Sequence, residues 1–491
     1  MLTDVNHQAG RWGIDLPARP DVIGTVLLLI GVLLTRSTLD ATAVSSYALA
    51  RHAAIGIGLS FAISLLVDFT HGSRNMLRAD AMGLLAIYGL IFAEFLVPQK
   101  EFDSYARITS IRVALDGIFV GIAAFAIGRH LLLRPRFTRS PALLSPTPPD
   151  LLIKLFWASF CLGFLHQWLA VGFNPIMWFD EMMGARFSQE WSRGRLGDWK
   201  ALLYEVGMLI YVLPPLGAVI LARRKLYSGL TVALVAAATL LVFFYGFTTG
   251  TRNIFAVYVI TFTIAFSYYV KGRDKTKTAA IFAASFVVIY LSINTMLEFR
   301  NIGFKAWVQG SESPYIDERE NLFVDYNLLN FSNITEEFGT DAHPYLGMQV
   351  PYLALVRPIP RALWKGKPEG LSTTIEEALE VEEEGAAGVT ISVTFIGEAY
   401  LAGGFFAIII AGLALGAFSG WWNHLASPKF SDLGVLIYAS GFFSASIAVR
   451  SLFTFTTAIL PTLALFFFAR WAIRHYRAAR APSPTLARTA P

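Results

Sequence analysis

From Val22 to Ala472 the chain is built of apolar runs, recurring from end to end and separated mostly by short polar segments. A bilayer core about 30 Å thick needs roughly 20 apolar residues per helical span. Backbone polar groups find no water there, so each span must be a helix or part of a closed barrel. The runs are continuous rather than alternating, which disfavours a barrel. Mean hydropathy is +0.53 and only 15% of residues are charged, too little polar surface for a soluble chain of 491 residues. The sequence therefore predicts an all-α, polytopic transmembrane helix bundle of about 12 spans. They fall at 21–36, 52–69, 80–97, 111–133, 151–173, 201–222, 228–247, 253–270, 278–297, 401–422, 431–449 and 451–472. Residues 1–472 form a single membrane domain on this reading, and 473–491 a disordered cytoplasmic tail. The first run is read as an uncleaved span rather than a signal peptide, because no small-residue cleavage site follows it directly.

Lys and Arg in short loops set orientation. Arg74 and Arg78 follow the second span, Arg134, Arg136 and Arg139 the fourth, Arg223, Arg224 and Lys225 the sixth. Lys271, Arg273, Lys275 and Lys277 follow the eighth, and Arg474, Arg477, Arg480 and Arg488 lie in the tail. With twelve spans all five segments share one side, so both termini are expected in the cytoplasm. Arg36, Arg51 and Arg107 are exceptions that fall outside.

The longest outward segment, 298–400, separates the ninth and tenth spans. From Phe299 to Tyr400 there are seven basic and sixteen acidic residues, a net of −9, against 33 basic and 19 acidic elsewhere, a net of +14. The basic pI of about 9.1 thus reports topology and contact with anionic lipid, not a nucleic-acid partner. A loop this long is usually functional. Cys161 is the sole cysteine, so neither a disulfide framework nor a thiolate metal site is available. No metal-ligand spacing and no phosphate-binding Walker loop occurs, and no cofactor is expected.

Four outward constellations concentrate polar chemistry. Thr249-Gly250-Thr251-Arg252 is either a capped turn whose Arg252 snorkels to headgroups or a small-residue turn that receives an anion at a helix start. Glu298-Phe299-Arg300 closes the ninth span; residues two apart on a helix do not face each other, so no mutual ion pair is assumed. Arg357, Arg361, Lys365 and Lys367 form a basic cluster around Pro358, Pro360 and Trp364 inside the acidic loop. Arg binds phosphate bidentately and Lys adds a point charge, though pairing with the glutamates at 376–384 is the alternative. Glu398 enters an apolar run, where a carboxylate is costly unless paired or working; it is a candidate general base or an ion-pair partner. His343 is a weaker candidate base. The segment from Trp178 to Trp199, with Arg186, Arg193 and Arg195, reads as an amphipathic stretch on the outer surface.

Pro360 to Pro368, the Gly397-Glu398-Ala399-Tyr400 start with Gly403-Gly404, and Thr249 to Arg252 together resemble the oligosaccharide repeat-unit polymerases (O-antigen polymerase, Wzy-type). The likeness covers roughly residues 200–425. It implies a membrane glycosyltransferase that polymerises undecaprenyl-pyrophosphate-linked repeat units into surface polysaccharide on the outer face of the bacterial cytoplasmic membrane. Lipid-linked donor and acceptor glycans would be its partners, with a chain-length regulator and a flippase nearby. Arg252 and Arg361 would hold the pyrophosphate, supported by Arg300 and Lys367, with Glu398 as base for the acceptor hydroxyl. The acidic run at 376–384 does not match the family pattern. A lipid-linked glycan ligase or other polysaccharide synthase shares this donor chemistry. A transporter is the rival of another class, but a long external loop after the ninth span departs from the usual division into two six-span halves.

Overall fold

The computed structural model describes residues 20–39, 45–70, 75, 77–99, 101–132, 147–186, 188–191, 200–269, 275–311, 326–360, 363–368, 371, 393–426 and 432–480. Among these the secondary structure is helical throughout, with no strand. We label α1 Val22–Leu39, α2 Ser46–Thr70, α3 Ala79–Ile91, α4 Ile108–Gly128, α5 Pro149–Ala170, α6 Pro175–Met182 and α7 Leu202–Ala222. Next come α8 Gly229–Thr248, α9 Arg252–Ser267, α10 Lys275–Phe299, α11 Asn327–Glu337 and α12 Gln349–Val356. The last four are α13 Thr394–Trp422, α14 Asp432–Ile447, α15 Leu452–Ala458 and α16 Leu460–Arg480. Among the described residues nine helices are long and apolar enough to cross a membrane: α1, α2, α4, α5, α7, α8, α10, α13 and the stretch Phe455–His475. The chain is a multi-pass membrane protein. The runs expected at 80–97, 253–270 and 431–449 are helical too, but α3, α9 and α14 are shorter than those nine.

The core has two main lobes. One gathers α1 to α4 with α11, α12 and the first part of α13; the other gathers α5, α7, α8, α9, α14 and α16. The hinge of the first lobe is the crossing of α4 with α13. Without a hydrophobic driving force between helices in lipid, close backbone approach at small residues supplies the packing. A Cβ on Gly416 would lie 2.2 Å from the Phe125 carbonyl oxygen, and one on Gly420 2.3 Å from that of Arg129. From the α4 side, a Cβ on Gly128 would lie 2.4 Å from the carbonyl oxygen of Leu413.

The segment expected as an outward loop is partly built into this lobe. In α11 the residues Leu328, Phe331 and Ile334 recur every three positions and are fully or almost fully buried. The Phe331 ring lies against Gly117 of α4, and Asn327 Nδ2 donates to the Leu90 carbonyl at 2.7 Å. At the other end of α11 the Glu336 carboxylate pairs with Arg107 and accepts from the Ser110 hydroxyl at 2.9 Å. Residues 473–480, expected in a disordered tail, instead continue α16; Arg474, Arg477 and Arg480 among alanines are good helix formers. Residues 481–491 lie outside the described residues.

A buried charge network closes the end of the bundle where α2, α4 and α13 finish. Arg78 and Asp80 are fully buried, Arg129 and Asp68 nearly so. Arg78 Nη2 lies 2.5 Å from Asp68 Oδ2 and its Nε 3.2 Å from Asp80 Oδ1. Arg129 Nη1 stands 3.6 Å from Asp80 Oδ2. Asn423 joins in, donating to Asp80 at 2.5 Å and accepting from the Ala79 amide at 2.8 Å. Two guanidiniums against two carboxylates leave no net charge, the condition under which ions tolerate burial. Arg78, read from sequence as a loop charge, thus belongs to the interior. Two of the orientation exceptions are paired at more exposed positions, Arg36 with Asp116 of α4 and Arg107 with Glu336.

Candidate functional site

The opposite end of the bundle gathers arginines. Gly250 turns the chain between α8 and α9 with φ +63°, and a Cβ there would lie 2.9 Å from Arg300 Cβ and 3.0 Å from Arg300 Cα. The turn carrying Arg252 therefore rests directly on Arg300, at the end of α10. Only glycine combines this left-handed conformation with such close approach.

A third arginine arrives from the segment after α6. Asn174 caps α6, its side chain accepting from the amides of Ile176 and Met177 at 3.0 and 3.2 Å. Trp178 and Met182 of this helix are buried, while Ile176, Met177 and Phe179 leave an apolar face exposed. Trp178 Nε1 donates to Gln167 Oε1 at 2.9 Å, which orients the helix over α5. The chain then crosses the end of α10. The Arg186 amide donates to the Arg300 carbonyl at 2.9 Å, and the Lys305 amide to that of Met183 at 3.0 Å. Arg193, Arg195 and Trp199 lie outside the described residues.

Arg450, in the turn between α14 and α15, completes the group. Burial first, and then the like charges of Arg300, Arg252 and Arg450, lower Arg186 to about 10. Arg186 thus lies within electrostatic reach of three other guanidiniums, each from a separate segment.

Glu398 sits in the first turns of α13 and is 5% exposed. One carboxylate oxygen accepts from the Ser451 hydroxyl and the other from the Leu452 amide at 2.6 Å. It thus stands beside the Arg450 turn. Further along, α13 breaks at Gly403 and Gly404, whose backbones are not helical. The Leu401 carbonyl near that break accepts from the Leu346 amide at 2.8 Å, so the segment before α12 fills the gap.

The other candidates are spread more widely. Arg357 ends α12, which is tied to α15 by the Thr456 hydroxyl donating to the Ala354 carbonyl at 2.8 Å. Lys367 Nζ donates to the carbonyls of Arg357 and Ile359 at 2.6 and 2.8 Å, which clasps this loop. Lys365 is exposed and Trp364 half-buried. Arg361 and the glutamates at 376–384 lie outside the described residues. His343 packs its ring on Phe338, with Nδ1 3.7 Å from Glu337 Oε2. Glu298 accepts from Trp307 Nε1 at 3.2 Å.

The structure sets the Arg252 turn on Arg300, a residue that the resemblance gave only a supporting role, while Arg361, which it set beside Arg252, lies outside the described residues; Arg186 and Arg450 were not among the sequence candidates for this group. Arg186 was visible only as part of an amphipathic stretch, and Arg450 sat in a tight turn between two apolar runs with no neighbouring motif. No group of three or more metal-ligating side chains occurs among the described residues. Comparison with protein-family models, curated proteins and solved structures finds no match.

Proposed function

We propose that the chain is a glycosyltransferase that extends surface polysaccharide from undecaprenyl-pyrophosphate-linked repeat units at the outer face of the cytoplasmic membrane. On this reading it has twelve spans, with α3, α9 and α14 among them, and both termini are cytoplasmic. The arginine cluster then faces outward, and the neutral charge network lies at the cytoplasmic end. Glu398 and the α13 C-cap Asn423 are 25 residues apart, at most about 38 Å at 1.5 Å per residue given the break at Gly403 and Gly404.

The observation that carries the proposal is the convergence of Arg186, Arg252, Arg300 and Arg450. In the reaction the acceptor hydroxyl attacks the anomeric carbon of the donor sugar, and the bond from that carbon to the pyrophosphate oxygen breaks. The electron pair leaves with the pyrophosphate, the acceptor proton passes to base or water, and the grown chain remains on the acceptor's lipid. Negative charge develops on the leaving group, where preorganised cations stabilise the transition state. Because the donor is already activated, no nucleotide pocket is required. Arg357, Lys365 and Lys367, with Arg361, would extend the cationic surface toward the incoming unit, and Trp364 would anchor it at the interface. A lipid-linked glycan ligase would use the same donor chemistry and differ in its acceptor.

Gene deletion followed by analysis of surface-glycan length tests the reading. Loss of long chains with single-unit glycans persisting supports a polymerase. Unchanged chain length with altered solute uptake refutes it. Arg252→Ala or Arg361→Ala is expected to stop chain growth without loss of membrane insertion.

A further inference from the structure

We infer that Glu398 is a positioning residue, its carboxylate fastening the Arg450 turn so that Arg450 completes a site for a diphosphate ester; this rests on the pyrophosphate reading of the arginine cluster. Both of its oxygens are engaged by the residues that immediately follow Arg450. Ser451 donates its hydroxyl to one oxygen, and the Leu452 amide donates to the other at 2.6 Å. A second staple lies one turn earlier, where the Phe395 amide donates to the Val449 carbonyl at 3.0 Å. Thr394, just before it, adopts φ +60°, a conformation that a β-branched residue rarely takes. Such strain persists only where surrounding contacts over-determine the backbone. Residues 449–452 are thus gripped by the first turns of α13.

The other arginines are placed by different means. Arg252 and Arg186 are both built on Arg300, one through the Gly250 turn and one through a backbone hydrogen bond. Arg450 comes from a separate turn, and the hold of Glu398 on Ser451 and Leu452 sets that turn's position. A general base must aim a lone pair at the substrate hydroxyl. Glu398 instead directs each oxygen at a donor of the protein and is almost wholly covered.

The experiment uses the full chain in lipid nanodiscs with inorganic pyrophosphate as the titrated probe, beside glycan length in cells. Arg450→Ala should weaken pyrophosphate binding by about tenfold or more, the loss of one charge-assisted contact. Glu398→Ala should give a comparable loss, and Glu398→Ala/Arg450→Ala should be no weaker than Arg450→Ala, since both act through one arm. Glu398→Gln should stay within about threefold in binding, because its amide oxygen still accepts from Leu452 and its amide nitrogen can donate to Ser451; its chain growth should be reduced but not abolished. Ser451→Ala removes the hydroxyl that donates to Glu398, should weaken binding by about two- to fivefold, and decides the matter should Glu398→Ala fail to fold. Wild-type affinity in both Glu398→Ala and Ser451→Ala overturns the inference. So does Glu398→Gln that binds pyrophosphate normally yet forms no chains, since that is the behaviour of a base. Absence of pyrophosphate binding by the wild-type chain refutes the anion site itself, and the positioning role falls with it.

Discussion

Asp80→Asn removes one of the two carboxylates that balance Arg78 and Arg129. In the wild-type chain Asp80 lies 3.2 Å from Arg78 Nε and 3.6 Å from Arg129 Nη1, with Asn423 donating at 2.5 Å. At an effective dielectric of about 20, each attraction is roughly 5 kcal/mol before desolvation is subtracted. Desolvating each ion costs several kcal/mol in return, and breaking one side of a buried pair costs about 3–5 kcal/mol net. Asp80→Asn leaves two guanidiniums facing Asp68 alone, so a loss of that size is expected. Arg129→Gln in addition restores one charge of each sign. The double variant should therefore be more stable than Asp80→Asn, with a coupling of about 2 kcal/mol. Thermal unfolding of detergent-solubilised protein, followed by size-exclusion chromatography, measures the ranking. If Asp80→Asn melts with the wild type, or the double variant is worse than both singles, the charges are not energetically coupled and the reasoning fails. Molecules of either variant that do fold should bind pyrophosphate normally, because the arginine cluster lies at the far end of α13.

Gly250→Ala forces an L side chain into a left-handed backbone at about 1–2 kcal/mol and drives its Cβ to 2.9 Å from Arg300 Cβ; pyrophosphate affinity should fall more than stability, and equal affinity in titration would sink this account of the turn. Gly416→Ala puts a Cβ 2.2 Å from the Phe125 carbonyl oxygen, overpacking the α4–α13 crossing by about 1–3 kcal/mol; membrane abundance by immunoblot should drop, and undiminished abundance would argue against a tight crossing. For Arg186 the folded value of about 10 lies below the ordinary arginine range. The folded chain is therefore penalised while Arg186 is charged, and the penalty is relieved as pH rises above 10. Pyrophosphate binding needs that charge, so wild-type affinity should decline between about pH 9 and 11, while Arg186→Gln should bind more weakly at pH 8 and show a flatter profile. A parallel pH dependence in both proteins, measured by calorimetry, would remove Arg186 from the site.

The arginine cluster shows how much of a membrane site is local. The turn 249–252 and the end of α10 were legible because a glycine with small hydroxyls and a terminal Arg stand out against apolar flanks. Arg186 and Arg450 were not, since nothing near them in sequence says that the segment after α6 lies across α10. Glu398 was noticed for its cost in an apolar run, yet its partners Ser451 and Leu452 are more than 50 residues away. Gly412, Gly416 and Gly420 did carry a readable signal, small residues every fourth position on one helix face. The three-residue spacing of Leu328, Phe331 and Ile334 was likewise readable as an amphipathic helix.

Sequence alone determined the helical, multi-pass character of the chain, because lipid leaves the backbone few ways to satisfy its hydrogen bonds and each span must be apolar along its length. The same run-by-run logic fixed where polar residues were anomalous. Tertiary structure decided which anomalies belong together. It drew Asp68, Arg78, Asp80 and Arg129 into one neutral interior network and assembled four arginines at the other end. Charge pairing and charge clustering depend on helix crossings between distant segments, and those crossings are set by the shapes of packed surfaces rather than by the composition of any one run.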